Sequence, residues 1–244
     1  MAEAYYNDEI TIDEVKQYWA VGDTRRVDLA AMEATGVGES HRAQTVQFVI
    51  GDFEHDDLTE PINGHTKALI TLLQKDCLMD KTSELNNNNG SNDTEKGYMN
   101  SLETNVGGWK SCARRTWCNE TYYNAIPDSL KNSVKEVNKD TSIGGRNTTI
   151  EKSVDKIFIS SETEIFGSLT YSAYGEGTQY QYYKGSMENR YKIPRWSSSY
   201  VTQVYWTRSP NKNTNDSFCC VGGSGTAGQP KANLDRGISI GLCI

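Results

Sequence analysis

No stretch of this sequence is apolar enough to cross a bilayer, which takes about 20 consecutive residues, so no membrane partner is expected. There is no basic run either. Arg25-Arg26 and Arg114-Arg115 are the only paired arginines, and the formal net charge is -7. Phosphate backbones are held by basic footprints, so nucleic acid is not an expected partner. Histidine is scarce: His41, His55 and His65 all lie in the N-terminal third, with no H-E-x-x-H or H-x-H spacing. The six cysteines (Cys77, Cys112, Cys118, Cys219, Cys220 and Cys243) contain no C-x-x-C, which removes zinc ribbons and thioredoxin-like motifs. Nothing implies an oxidising compartment, and the six read as buried free thiols acting as small hydrophobes. No G-x-S-x-G surrounds Ser160-Ser161. No histidine lies near a cysteine in sequence to activate a thiol. The glycine-rich segment 222–228 lacks the Lys-Ser/Thr ending of a phosphate loop and reads as a turn between strands. With no nucleophile–base set in view, the chain is expected to be non-enzymatic, without cofactor or metal. His55-Asp56-Asp57 has the chemistry for a hard cation, but carboxylates this close are as often a turn.

Phenylalanine is sparse, with five residues, whereas there are 14 tyrosines. Tyrosine joins an apolar body to a polar tip and suits half-wet contact surfaces. At 244 residues the chain is long for one domain, but strand-rich folds reach this size as one unit and bury a core without disulfides. The first nine residues are acidic and polar, with neither the basic start nor the apolar core of a secretory signal. The expectation is either a trimmed N-terminus or maturation without Sec export, and a virus particle assembled in the cytoplasm would fit the second.

Residues 1–15 read as a tail or linker leading into one domain over 16–244. Residues 18–24 read as a short strand ending in a turn, and 45–52 as a β-branched alternating strand. Residues 67–78 are apolar on both faces and read as a buried strand, with a helix as the alternative. Residues 84–97 hold four consecutive asparagines followed by Gly-Ser, and such a loop cannot bury enough to order itself. Residues 111–119 read as a helix, and Pro127 opens a second short one. Gly144-Gly145 turns a strand pair over 134–147, and 156–160 is a strand. Ser161-Glu162-Thr163-Glu164 carries a capping-box signature for a short helix ending near Gly167. From Tyr171 onward tyrosines crowd the chain, with Trp196 and Trp206, until the alternating strand at 237–244. A terminal strand of this kind is usually tied into a sheet. N-x-S/T sequons at Asn89, Asn92, Asn119, Asn147 and Asn215 reflect an abundance of Asn and Thr.

Several motifs occur in order: Gly107-Gly108-Trp109; Cys112, Arg115-Thr116-Trp117 and Asn119; Ala125-Ile126-Pro127 and Leu130. Residues 156–162, 164–167, 175–180 and Tyr205-Trp206-Thr207-Arg208-Ser209-Pro210 follow, before the closing strand. From about Tyr18 to its end the chain resembles the DUF6273 family, domains frequent in gut Firmicutes and their phages. The Trp-x-Arg-Ser-Pro element and the closing strand further resemble the C-type-lectin-like fold of formylglycine-generating-enzyme relatives. That fold is shared by retroelement variable proteins and phage receptor-binding tips. The resemblance implies an α+β fold with mixed or antiparallel sheets, two or more short helices and long loops.

It also implies a binding module: a phage tail or virion protein, or a bacterial surface adhesin, contacting a host cell-surface glycan or protein. The alternative is a structural virion subunit packing against other virion or surface subunits as a homo-oligomer. In an extended segment Asn211, Asn213 and Asn215 point one way. Asn beside Tyr resembles the chemistry of antibody loops. Tyr205, Asp216 and Thr226 complete that candidate site, and Tyr174, Glu176, Gln179 and Tyr180 border it. Trp109, Trp117, Trp206 and Arg208 are assigned to structure, Arg208 as a donor to loop carbonyls.

Overall fold

The computed structural model describes residues 1–37, 40–78, 97–192 and 202–244. Most of the expected asparagine loop at 84–97, Asn89, Asn92, Trp196 and Tyr200 lie outside them. Twelve strands are described: β1 (Thr24–Leu29), β2 (Gln44–Phe53), β3 (Asp57–Ile62), β4 (His65–Lys67), β5 (Ile70–Gln74), β6 (Val137–Gly144), β7 (Asn147–Asp155), β8 (Ile157–Phe158), β9 (Tyr205–Pro210), β10 (Phe218–Val221), β11 (Ala227–Gly228) and β12 (Gly241–Cys243). They form a five-stranded sheet β1-β2-β5-β12-β8, a four-stranded sheet β4-β3-β6-β7 and a three-stranded sheet β11-β10-β9. Every ladder is antiparallel. With short helices between the strands, the architecture is α+β.

The five-stranded sheet holds the centre of the core. All five residues of β5 are buried, Ile70, Leu72 and Leu73 as core apolar groups and Thr71 and Gln74 with hydrogen-bond partners. β12 lies between β5 and β8, pairing Leu242 with Leu72 and with Ile157, so the C-terminal strand is tied in on both edges. β2 bulges between Ile50 and Asp52. A Cβ on Gly51, at that bulge, would lie 2.6 Å from the Leu73 side chain, so only glycine lets β2 approach β5 there.

Residues 1–15 do not form the expected tail. They carry helices α1 (Ala2–Tyr6) and α2 (Ile12–Lys16) and bury Tyr5, Tyr6 and Val15 in the core. The Tyr6 hydroxyl accepts from the Leu69 amide at 2.9 Å and donates to the Ile244 carbonyl at 3.3 Å. A polar count hides this, because tyrosine buries its ring while its oxygen stays bonded. Residues 18–23 form turns rather than a strand, and β1 begins at Thr24.

The expected helix at 111–119 is α3 (Ala113–Trp117), which runs into a π-turn at Cys118–Tyr122 and then α4 (Tyr123–Ala125). Pro127 caps α5 (Asp128–Lys131). Ser161 caps α6 (Glu162–Phe166) with both halves of the capping box formed, and Gly167 ends it in the left-handed conformation. α7 (Gln181–Gly185) and a 3₁₀ turn at Met187–Arg190 precede β9. All six cysteines are free and buried. Among the described residues no helix is long and apolar enough to cross a membrane.

Candidate functional site

β9 and β10 run antiparallel, so the loop 211–217 joins them at one end of the small sheet. That loop does not continue as an extended strand. The Asn211 side chain turns inward, where its Oδ1 accepts from the Asn213 amide at 2.9 Å and its Nδ2 donates to Gln229. The resulting turn cancels the alternation on which a shared face for Asn211, Asn213 and Asn215 depends. Asn211 is fully buried and presents no surface to a ligand, while Asn213 and Asn215 are exposed and Asp216 is half-buried.

Tyr205, Glu176 and Tyr180, expected as contact residues, are also buried. The Tyr205 hydroxyl donates to the Arg190 carbonyl at 3.0 Å. Gln179 is half-buried and spends its amide on the Ile165 carbonyl at 2.9 Å. Thr226 is exposed but sits in the β10–β11 turn, at the opposite end of β10 from Asn213 and Asn215. Tyr174 is 87% exposed. Its loop meets the 211–217 loop, with the Lys212 amide donating to the Tyr171 carbonyl at 2.9 Å.

The loop cluster is built by a residue that sequence reasoning passed over. Asn105 is wholly buried, and its Nδ2 donates to the carbonyls of Asn211, Thr214 and Ser217 at 3.2, 3.1 and 2.7 Å. Its Oδ1 accepts from the Gly145 amide at 2.8 Å, and its own amide donates to the Asn215 carbonyl at 2.9 Å. One side chain thus joins the 101–106 loop, the β6–β7 turn and the 211–217 loop. Gly144 in that turn has φ +67°, and a Cβ there would fall 1.9 Å from the Asn105 carbonyl oxygen. Around the staple stand Leu102 at 71% and Val106 at 61% exposure, with Asn213 and Asn215. Lys231 ties the margin to Glu103 at 2.7 Å.

A buried carboxylate fixes the bordering loop. Glu162, at the start of α6, accepts from the amides of Thr170, Tyr171 and Ser172 and from the Ser172 hydroxyl, at 2.7 to 3.2 Å. Deeper, Arg208 of β9 pairs with both oxygens of Glu164 at 2.5 and 2.8 Å and donates to the Ile159 and Glu176 carbonyls at 3.1 and 3.3 Å. Lys139 of β6 contacts Asp56 and lies 3.3 Å from Glu164 and 2.8 Å from the Tyr180 hydroxyl. Burial by itself would raise the Asp56 and Glu164 carboxyls. The Lys139 charge, with His55, instead holds Asp56 well below the usual range, and Arg208 with Lys139 lowers Glu164. Glu176 has no such partner close enough to win: burial pushes it up to about 7 despite bonds from Ser142 and Ser209. Burial also raises every thiol for which a shift is seen, Cys112 and Cys220 to about 12, so these sulfurs stay protonated and inert at neutral pH. Among the described residues no group of three or more His, Cys, Asp or Glu is placed to hold a metal.

The Gly107–Asn119 motifs converge on one buried carboxylate. Trp109 Nε1 donates to Asp155 at 3.1 Å, Arg115 Nε at 2.6 Å and Asn119 Nδ2 at 3.0 Å. Trp206 Nε1 donates to the Gly97 carbonyl, and Trp117 is buried against the Arg114 guanidinium, 4.6 Å from the ring centre. The family model for DUF6273, a domain of unknown function, matches residues 70–244. The chain belongs to the DUF6273 family. No curated protein and no solved structure matches it. The DUF6273 match opens at Ile70, the first residue of β5, so β1, β2 and Asp56 are contributed from outside it.

Proposed function

We propose that this DUF6273 domain is a non-enzymatic binding module that recognises a cell-surface glycan or protein through the Asn105-stapled loops. The observation that carries the reading is the contrast within that cluster. The loop backbones are locked by a fully buried amide, while Leu102, Val106, Asn213 and Asn215 are left facing solvent. Loops fixed before contact lose little entropy on binding, and an apolar centre with amide neighbours is chemistry that suits either a sugar or a protein surface. Tyr174 adds an exposed aromatic at the border.

A C-type-lectin-like fold belongs to the same reading. It is supported by the C-terminal strand held between β5 and β8 and by the 101–106 and 211–217 loops that Asn105 joins to the β6–β7 turn. A phage tail or virion, or a bacterial surface, is the setting in which such a module serves adhesion. Exposed Leu102 and Val106 also support a second reading, a structural virion subunit that packs against copies of itself.

The test is binding of the purified chain to a glycan array and to whole host cells, beside an Asn213→Ala/Asn215→Ala/Val106→Asp variant. The variant is expected to bind about tenfold more weakly, a loss of about 1.4 kcal/mol. Equal binding by variant and wild type removes the site assignment. A stable oligomer in light scattering that Val106→Asp disperses favours the structural subunit.

A further inference from the structure

Asp56, Lys139 and Glu164 carry charges that the binding surface does not use, and their placement is unusual. Leu58 of β3 pairs with Val137 of β6. Extending that antiparallel register by two residues sets Asp56 opposite Lys139. Both side chains are almost wholly buried, at 4% and 1% exposure, and Glu164 beside them is at 2%. The Lys139 nitrogen lies 3.6 Å from the centre of the Phe158 ring and 2.8 Å from the Tyr180 hydroxyl. Thr71 donates to Asp56 Oδ2 at 2.5 Å and Cys243 at 3.4 Å, while His55 Nδ1 stands 3.5 Å from Oδ1.

We propose that Lys139 and Asp56 condense to an intramolecular isopeptide bond, with Glu164 as the proton-relay carboxylate. The Lys139 nitrogen gives a proton to Glu164, 3.3 Å away, and then attacks Asp56 Cγ. A C–N bond forms, and the charge that develops on Oδ2 is stabilised by the Thr71 hydroxyl. The C–O bond to Oδ1 then breaks, and Oδ1 leaves as water. Of the three hydrogens on the ammonium, one stays on the amide nitrogen and two depart with that water, the first by way of Glu164 and the second within reach of the Tyr180 hydroxyl. Atoms balance with no oxidant, reductant or co-reactant. Glu164 ends as it began, still paired with Arg208.

Two physical terms favour the reaction. Holding nucleophile and carboxyl in contact replaces a bimolecular encounter by an intramolecular one, which removes much of the barrier. The condensation also converts two buried charges, each costly to keep from water, into a neutral amide. The bond would join the residue before β3 to β6, whatever the loop cluster binds.

Intact mass spectrometry of the denatured wild-type chain tests this independently of any ligand. The expected mass is that of the sequence less one water, with a protease digest yielding a branched peptide that links the Asp56 and Lys139 segments. Lys139→Arg keeps the cation but cannot form the bond, and is expected at its full sequence mass. Glu164→Gln is expected to convert slowly or not at all. Wild type at its full sequence mass overturns the proposal. So does a water loss that persists in Lys139→Arg, or one that maps to other residues.

Discussion

Glu176 and Glu164 both neighbour Arg208, yet their protonation is driven in opposite directions. Both are buried, which favours the neutral acid. Glu164 takes the bidentate guanidinium and is held as a carboxylate, whereas Glu176 receives only weaker bonds and rises from 4.5 to about 7. A carboxyl raised on folding contributes stability that is fully present below its unfolded value of 4.5 and is lost as the pH climbs through about 7. A carboxyl lowered on folding, as Glu164 is, contributes stability above its unfolded value that is lost on acidification through its folded one. The two slopes oppose each other, so thermal stability is expected to peak in mild acid. Glu176→Gln keeps an acceptor for the Ser142 amide and removes the ionisation. Melting curves between about pH 5 and about pH 8 are expected to fall for wild type and to flatten for the variant. Parallel curves would show that Glu176 does not titrate in that window.

Among the elements, the loops depend on one another more than on their own sequences. The 211–217 loop contains a local Asn211 turn, but its three outer carbonyls are satisfied by Asn105 from more than a hundred residues upstream. Asn105→Ala would leave those carbonyls and the Gly145 amide without their buried partner. At about 1 to 3 kcal/mol for an orphaned buried group, partly relieved by relaxation, the expected destabilisation is about 3 kcal/mol. Urea unfolding measures it, and faster amide exchange at Gly145 and Asn213 would show that the loss is local to the loops. A change under about 0.5 kcal/mol, the range of an ordinary surface substitution, would mean that the staple is dispensable. By contrast the β6–β7 turn and the α6 cap are legible in sequence, although β7 runs on to Asp155, beyond the strand pair expected over 134–147. Gly144-Gly145 supplies the left-handed turn, and Ser161 with Glu164 the capping box, both within a few residues of chain.

For the whole molecule, the segment before the family match is structural and not an appendage. β2 covers one edge of β5, Tyr6 bonds both Leu69 and the last residue, and Asp56 faces Lys139. A chain starting at Ile70 would expose the edge of a strand that is buried throughout and leave Lys139 without Asp56. It is expected to be insoluble or unfolded, with a flat near-ultraviolet circular dichroism spectrum where the full chain shows a tryptophan signature. A soluble, cooperatively melting fragment would confine the folding unit to the DUF6273 match.

What the sequence determined by itself is whatever depends on neighbours in the chain. The β2 and β5 strands, the Gly144-Gly145 turn, the α6 cap and, of the closing strand expected over 237–244, the three residues Gly241–Cys243 follow from alternation, φ preference and short-range hydrogen bonds. Only the tertiary structure decided which polar side chains face water. Asn211, Tyr205, Glu176 and Tyr180 have the composition of a contact surface, but each finds a partner brought by another element and is drawn inside. Asn105 carries no local signal because all its side-chain partners are remote in sequence. A buried polar group is stable only where its hydrogen bonds are met, and where they are met is a property of the assembled fold.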